Sequence, residues 1–483
     1  MAWSSKKPSN CCNIKMSIKN KEKAKLEELK DEIIKEDEKK SEIITSEILN
    51  DGTIIEMLFD SQKNETSLAI YKNNEIKCKK YFEVNGVILK PHSAGKDLLK
   101  NKVILFPSEA REYGSQKELI RDIQVFIHKY LSVSLFFEKI SSYYVLFSWI
   151  YDDFNELPYL RGLGDYGTGK SRFLQVVGSI CYRPIFASGA TTVSPIFRIL
   201  NDFRGTLILD EADFKFSDTT AELIKILNNG FMKGMPVLRS EGNNKKSFDV
   251  KAYNVFSPKM IASRMLYKDT ALESRMITED MNLNFPREDV PFNIPDLFWD
   301  EALEIRNKLL MFRFRNKGKS KINPELENRE IEPRLNQIAI PLMSIIEDQE
   351  IIKEIQQYIK EYNEKIKTDR TLGYSYQILD AICELLDDGF IHPTIHQIAE
   401  KFNKDLNFSE AITSKKMGYL IRKTLDLKTE RTRDGYVVSE SNQEKIGILR
   451  KRYGIRKNSE DVNDVNIKLK VGQEEISVEN LFN

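Results

Sequence analysis

The sequence predicts an α/β protein. It expects a parallel-sheet core, a small β-rich module before the core, and a helical region after it that ends in a basic helix-and-hairpin module. Three observations carry this. Apolar strand-like runs alternate with helical periods from about Leu157 to Met281, the pattern of a parallel sheet crossed by helices. Residues 42–106 instead read as short strands broken at Asp51-Gly52, Asn73-Asn74 and Asn85-Gly86, which is hairpin chemistry. Hydrophobic residues make up 41% and charged residues 30% of the 483, enough for packed cores and too apolar for a disordered chain.

Taken in order, residues 1–41 form a charged N-terminus: Lys19–Lys40 carries eight Lys and eight Asp/Glu around a thin apolar stripe. Residues 42–107 are the β-rich module, with EIITSEIL and TIIEMLF as arms of one hairpin, and nothing in it suggests chemistry. Residues 108–152 form a helical connector, with Leu119, Ile120, Ile123, Phe126, Ile127, Tyr130 and Leu131 at helical spacing. Its apolar end, Tyr143–Tyr151, is too short to cross a bilayer and reads as a buried helix. Residues 153–284 are the α/β core, 285–365 are helical, 366–457 form the terminal module and 458–483 a polar tail. Five Cys without regular spacing and four His exclude a disulfide framework and a zinc set. With no secretory signal or membrane span in view, the expectation is a cytoplasmic protein that does not engage a membrane.

The strongest motif is Gly164-Asp-Tyr-Gly167-Thr168-Gly169-Lys170-Ser171, set between the strand-like PYLRGL and the helix-like RFLQVVGSI. That context makes G-x-x-x-x-G-K-S a phosphate-binding loop. Glycines let successive N–H groups point at phosphate oxygens, and the following helix adds its positive end. Lys170 brings a charge to the β- and γ-phosphates, and the Ser171 hydroxyl suits Mg²⁺. Forty residues on, the apolar run Thr206-Leu-Ile-Leu209 ends in Asp210-Glu211-Ala-Asp213. Asp210 is expected in the Mg²⁺ shell and Glu211 as the base that polarises the attacking water. The site is thus expected to hold Mg-ATP.

These residues resemble an AAA+ ATPase with a P-loop core, closest in layout to superfamily 3-type helicases and the primase-associated helicases of phages and plasmids. Forty residues between the two motifs are too few for the superfamily 2 helicases that the letters D-E-A-D bring to mind. The resemblance covers about 155–345 and implies a ring-forming, hexameric ATPase acting on single-stranded or forked DNA, with residues 285–365 as a helical lid. It implies that the hairpin-like 237–250, with Lys245 and Lys246 near its tip, projects into the ring channel and touches DNA. Ser263, ending the strand KMIAS, matches the residue that helps place the water. Arg275 in ALESRMI matches an arginine finger supplied to the neighbouring subunit, with Arg264 as its rival. Arg334, beside Pro333 at a helix start, matches loosely a lid arginine over the nucleotide. No primase site is evident, so a primase or polymerase partner is a separate chain.

The terminal module reads as three helices then a hairpin, the order of a winged helix-turn-helix. Residues 411–457 hold thirteen Lys/Arg against five Asp/Glu, whereas the whole chain has a net charge of only +1. That asymmetry is a nucleic-acid footprint. Lys415, Lys416 and Arg422 on the third helix, and Arg431 and Arg433 on the hairpin, are the candidate DNA contacts. The residues leave open an ATP-gated DNA-binding regulator or loader that does not unwind, and an ATP-driven remodeller of proteins with the winged helix as adaptor.

Overall fold

Five parallel strands organise the chain in a computed structural model that describes residues 41–213, 218–242, 248–267, 269–283, 286–371, 374–405 and 411–455. The charged N-terminus, the polar tail, and Lys245 and Lys246 lie outside the described residues. The chain divides into two units, residues 1–356 and 357–483, each described by itself.

The first unit opens with seven short strands. These are β1 (Ser41–Ile44), β2 (Ser46–Ile48), β3 (Ile54–Asp60), β4 (Glu65–Lys72), β5 (Glu75–Lys79), β6 (Phe82–Val84) and β7 (Val87–Pro91). Strands β2-β3-β4-β5 make an antiparallel sheet, whereas β1 joins β7 and β6 in a second one, parallel to β7. The expected single strand EIITSEIL therefore breaks in two at Thr45. The reason is a buried arginine: Arg183 reaches the Thr45 carbonyl at 2.8 Å and its hydroxyl at 2.9 Å. The Asp-Gly turn forms as expected. Gly52 is left-handed at φ +82° and Asp51 accepts from Thr53 N–H at 3.0 Å.

After a single helical turn, α1 (Asp97–Lys100), come α2 (Gln116–Tyr130) and α3 (Leu135–Ser148). A Ser115/Glu118 capping box starts α2, and Leu119, Ile120, Ile123, Phe126, Ile127 and Tyr130 are buried along it. Nearly the whole of α3 is buried, so it is apolar all round rather than on one stripe.

The core follows as β8 (Tyr159–Leu163), α4 (Lys170–Gly178), β9 (Ile185–Ser188), α5 (Val193–Phe203), β10 (Leu207–Asp210) and α6 (Asp218–Asn229). Next are the hairpin β11 (Val237–Gly242) and β12 (Phe248–Tyr253), then β13 (Lys259–Ser263), the short α7 (Thr270–Glu273) and β14 (Met276–Asp280). The sheet order is β14-β8-β13-β10-β9, all parallel. Helices α8 (Leu297–Asn316) and α9 (Pro333–Met343) follow, and the chain passes to the second unit within α10 (Gln349–Thr371). Helix α8 is packed into the body of the unit: Phe298 stacks on Phe126, and Arg306 donates to the Ser179 carbonyl at 2.8 Å.

The β-module is pinned to the core by charge. Glu56 on β3 is buried and accepts from Arg183 at 2.5 Å, Arg313 Nε at 2.7 Å and the Tyr182 hydroxyl at 3.0 Å. Arg313 also forks onto Asp152 at 2.9 and 3.0 Å. Such a cluster is held by mutual pairing, and removing one partner strands a buried charge at about 3–5 kcal/mol.

The second unit holds α11 (Tyr374–Asp387), α12 (Ile395–Asp405), α13 (Ser414–Thr424), the hairpin β15 (Thr429–Thr432) and β16 (Gly435–Val438), and α14 (Gln443–Tyr453). Ile378, Ile382, Ile398, Phe402, Met417 and Ile421 form its core. The expected three helices and hairpin are all present, and α14 is an element the sequence reading did not anticipate. No helix among the described residues is long and apolar enough to cross a membrane.

Candidate nucleotide site

One strand brings the two motifs together. Strand β13 pairs with β8 on one side and β10 on the other, so the loops that leave β8 and β10 flank its end. The Gly164 N–H donates to the Ser263 carbonyl at 3.1 Å, and the Ala212 N–H to the Ala262 carbonyl at 2.9 Å. In an open parallel sheet, ligands bind beyond the carboxyl ends of the strands. Here that edge carries the Gly-rich loop, Asp210-Glu211 and Ser263 side by side.

The loop itself is a tight cradle. A Cβ on Gly164 would sit 2.8 Å from Thr168 Oγ1 and 3.1 Å from Met281, so only glycine fits. Gly169 caps the start of α4 at φ +90°, a conformation that costs other residues about 1–2 kcal/mol. Gly167 lies at the turn between them, and Thr168 donates to the Asp165 carbonyl at 2.9 Å. Lys170 curls back onto the loop, its ammonium donating to the carbonyls of Gly164 at 2.7 Å and Asp165 at 2.5 Å. Burial lowers the Lys170 pKa; Asp213 then pulls it up and Arg264 pulls it down, ahead of Asp210.

Ser171 and Asp210 line one cleft of about 550 Å³, together with Leu174, Ser188 and Trp299. A hydroxyl and a carboxylate facing one space are oxygen donors of the kind a hard cation prefers, and the adjoining cradle leaves no room for a Cβ at Gly164. The residues present therefore fit a magnesium nucleotide. Asp210 turns one oxygen inward, accepting from Glu211 N–H at 2.8 Å. Glu211 is exposed and left-handed at φ +52°, a strained state for a residue with a Cβ. Ser263 is buried.

Several contacts next to this site had escaped the sequence reading, which had named Arg264 only as a rival arginine finger. Asn282 accepts from Asp165 N–H at 2.8 Å and braces the loop from beyond β14. Arg264, Asp213 and Tyr166 join the loop to the acidic turn. Arg264 N–H and Nε donate to Asp213 at 2.6 and 2.5 Å, and Arg264 Nη1 donates to Tyr166 Oη at 2.5 Å. Strand β8 also hides a charge: Arg161 is buried and pairs with Glu273 at 2.7 Å.

Arg275 and Arg334 lie elsewhere. Arg275 precedes β14, whose first residue pairs with Tyr159 at the start of β8. Five residues of strand separate that end from the loop, roughly 16 Å. Arg275 is only 5% exposed, its guanidinium 4.1 Å from the Phe231 ring centroid and bonded to the Ala271 carbonyl. Burial, then neighbouring Arg334, lowers its pKa to about 10. Arg334 reaches Ser274 Oγ at 3.4 Å. This corrects the expectation of Arg334 over its own nucleotide: Pro333 starts α9 as expected, but the helix aims Arg334 at the opposite end of the sheet from the loop.

The hairpin β11–β12 is present where expected, with Arg239 paired to Glu222 at 3.1 Å and stacked over Phe197. In the second unit, Lys415 and Lys416 open α13 and are exposed, as are Arg431 and Arg433 on β15–β16. Arg422 is exposed and donates to Thr429 at 3.0 Å, tying helix to hairpin. A groove of about 630 Å³ between α12, α13 and the hairpin is lined by His396, Ser414, Lys415, Arg422 and Tyr436.

No family model matches the chain, and no curated protein matches it. Among solved structures, the NrS-1 C-terminal region is 11% identical, spans 80% of this chain and 96% of its own, and gives a TM-score of 0.31. SCCmec type IV Cch, an active helicase, is 11% identical over 84% of this chain and 80% of its own, at a TM-score of 0.38. The JCV helicase is 10% identical over 55% and 64%, at 0.23. Likenesses this distant assign no family. The chain's own sheet and loop define a mixed α/β protein consistent with a P-loop NTPase-like fold.

Proposed function

We propose that this chain is an ATP-dependent motor on DNA, a helicase or translocase of a replication system that works as a hexameric ring. The observation that supports it most is the shared cleft of Ser171 and Asp210 beside the Lys170 cradle, with both loops bonded to β13. In this reading Lys170 exchanges its two loop carbonyls for β- and γ-phosphate oxygens. Gly164, Gly167, Thr168 and Gly169 shape the amide cradle. Ser171 and Asp210 hold Mg²⁺, which supplies charge neutralisation to the phosphates. Glu211 takes the proton of the attacking water, and Ser263 helps to place that water.

Arg275 belongs to the neighbouring copy's reaction in this proposal. It lies away from its own loop, and its guanidinium would have to leave the buried seat on Phe231 to offset charge building on a neighbour's transferred phosphate. Arg334, adjacent to it, acts with it. Lys245 and Lys246 at the hairpin tip, and Lys415, Lys416, Arg422, Arg431 and Arg433 on a winged-helix module, pair with DNA phosphates.

The test is the ATPase rate with and without single-stranded DNA, alongside unwinding of a forked duplex. DNA-stimulated hydrolysis with unwinding is the expected result. Hydrolysis indifferent to DNA sinks the motor, and DNA-stimulated hydrolysis without unwinding replaces it with an ATP-gated loader or regulator.

A further inference from the structure

The geometry points to Arg264 as a residue of the chain's own nucleotide site that binds the terminal phosphate and so separates triphosphate from diphosphate. The inference rests on the nucleotide-site reading above and names a specificity determinant within it.

Arg264 follows Ser263, so β13 delivers it to the edge where the loop and the acidic turn meet. Its orientation is fixed twice by one partner: backbone N–H and side-chain Nε both donate to the Asp213 carboxylate, at 2.6 and 2.5 Å. Its guanidinium carbon lies 4.2 Å from the Tyr166 ring centroid, and Nη1 donates to the Tyr166 hydroxyl. Tyr166 is the tip of the Gly-rich loop and is 78% exposed. The guanidinium thus spans from the acidic turn to the loop tip, on the side that Lys170 also faces.

The two halves of this grip differ in strength. The Asp213 contact is a charged hydrogen bond from Nε backed by the backbone N–H, whereas the Tyr166 contact is a hydrogen bond to a neutral phenol. A phosphate oxygen is a stronger acceptor for a guanidinium than a phenol, because both partners are then charged. With a triphosphate in the cradle, Nη1 exchanges the phenol for a terminal oxygen while Asp213 keeps the fork aimed. A diphosphate offers no oxygen at that position, so Arg264 stays on Tyr166. The sequence had offered Arg264 as a rival finger for a neighbour; its contacts are with its own loop and its own acidic turn.

The experiment measures affinity for a non-hydrolysable ATP analogue (AMP-PNP) and for ADP, both with Mg²⁺, in the full chain and in Arg264→Ala and Arg264→Lys. The expected result is a loss of roughly tenfold to a hundredfold for AMP-PNP in Arg264→Ala, the range of one charged hydrogen bond. ADP affinity should change by less than about twofold, since the lost partner is absent there. Arg264→Lys, which keeps the charge and loses the fork, should fall between. An equal loss for both nucleotides, or no loss, overturns the inference and leaves Arg264 as a brace for the loop. If the unaltered chain binds neither nucleotide, the nucleotide site itself fails, a different outcome. Melting of the apo variants separates misfolding from lost recognition. Should Arg264→Ala unfold, Tyr166→Phe is the second probe: it removes the competing hydroxyl and should raise AMP-PNP affinity, with an unchanged value counting against the exchange.

Discussion

Glu211 offers a test in which one pair of variants reads backbone strain and activity separately. Its left-handed backbone, φ +52°, costs a residue with a Cβ about 1–2 kcal/mol. Glycine adopts that conformation freely but loses about 0.5–1 kcal/mol more chain entropy on folding than alanine does. Glu211→Gly should therefore exceed Glu211→Ala in stability by about 0.5–1 kcal/mol, because alanine keeps the strain and glycine sheds it. The side chain is exposed, so neither substitution opens a cavity. The Asp210 carboxylate still receives the residue-211 N–H in both. Both variants lack the carboxylate proposed to activate water, so both should bind nucleotide and fail to turn it over. Urea unfolding of the two variants, alongside single-turnover hydrolysis, reads both quantities. An alanine variant as stable as the glycine variant would refute the strain argument. Normal turnover in either would remove Glu211 from its role.

Other expectations follow from the same geometry. Lys170→Ala should leave the fold intact, since its two partners are carbonyls of its own loop, yet weaken nucleotide binding by at least about tenfold; titration with a fluorescent nucleotide reads this. Gly189→Ala places a Cβ 2.5 Å from the Glu211 carbonyl, so turnover should fall although residue 189 has no chemistry; steady-state hydrolysis checks it. Glu56→Ala leaves buried Arg183 without a carboxylate, while Arg313 keeps Asp152, and should cost about 3–5 kcal/mol in denaturant unfolding of the first unit. Burial raises the Asp152 pKa, but Arg313 and Lys317 outweigh it and hold the carboxyl below its ordinary range. The sign follows: that stabilisation is complete above about pH 4 and is lost as pH falls through the folded value, and Asp152→Asn should flatten the acid limb of a melting-temperature profile. Replacing Lys415 and Lys416 together should reduce the slope of log affinity against log salt for duplex DNA by roughly 1.8, and an unchanged slope would take α13 off the DNA.

The Gly-rich loop and the acidic strand end were legible as local structure because each is contiguous and framed by its own strand and helix. The parallel sheet was legible for the same reason, through short apolar runs between helical periods. What could not be read was assembled from distant single residues. Arg264 meets Asp213 across 51 positions and Tyr166 across 98. Arg161 meets Glu273 across 112, and Glu56 meets Arg183 across 127. A faint signal did exist: Glu56 inside TIIEMLF and Arg161 inside PYLRGL are charges within buried strands, and a buried charge requires a partner somewhere. The split at Thr45 had no such signal, since the arginine that causes it lies 138 residues away. Nor does sequence direction reveal which end of the sheet a helix start will face, which is why Arg334 was assigned to the wrong end.

The position of β13 has a bearing on which parts of this chain can lengthen. Its last two residues hold the neighbouring loops by one bond each, and its register is shared with strands on both flanks. One residue added or removed within Lys259–Ser263 would turn every following side chain to the opposite face and displace both anchoring carbonyls together. Five residues of sequence are thus frozen in length. By contrast, the connection across β11 and β12 enters and leaves on the far side of that constraint, so insertions there leave the edge that carries the Gly-rich loop untouched.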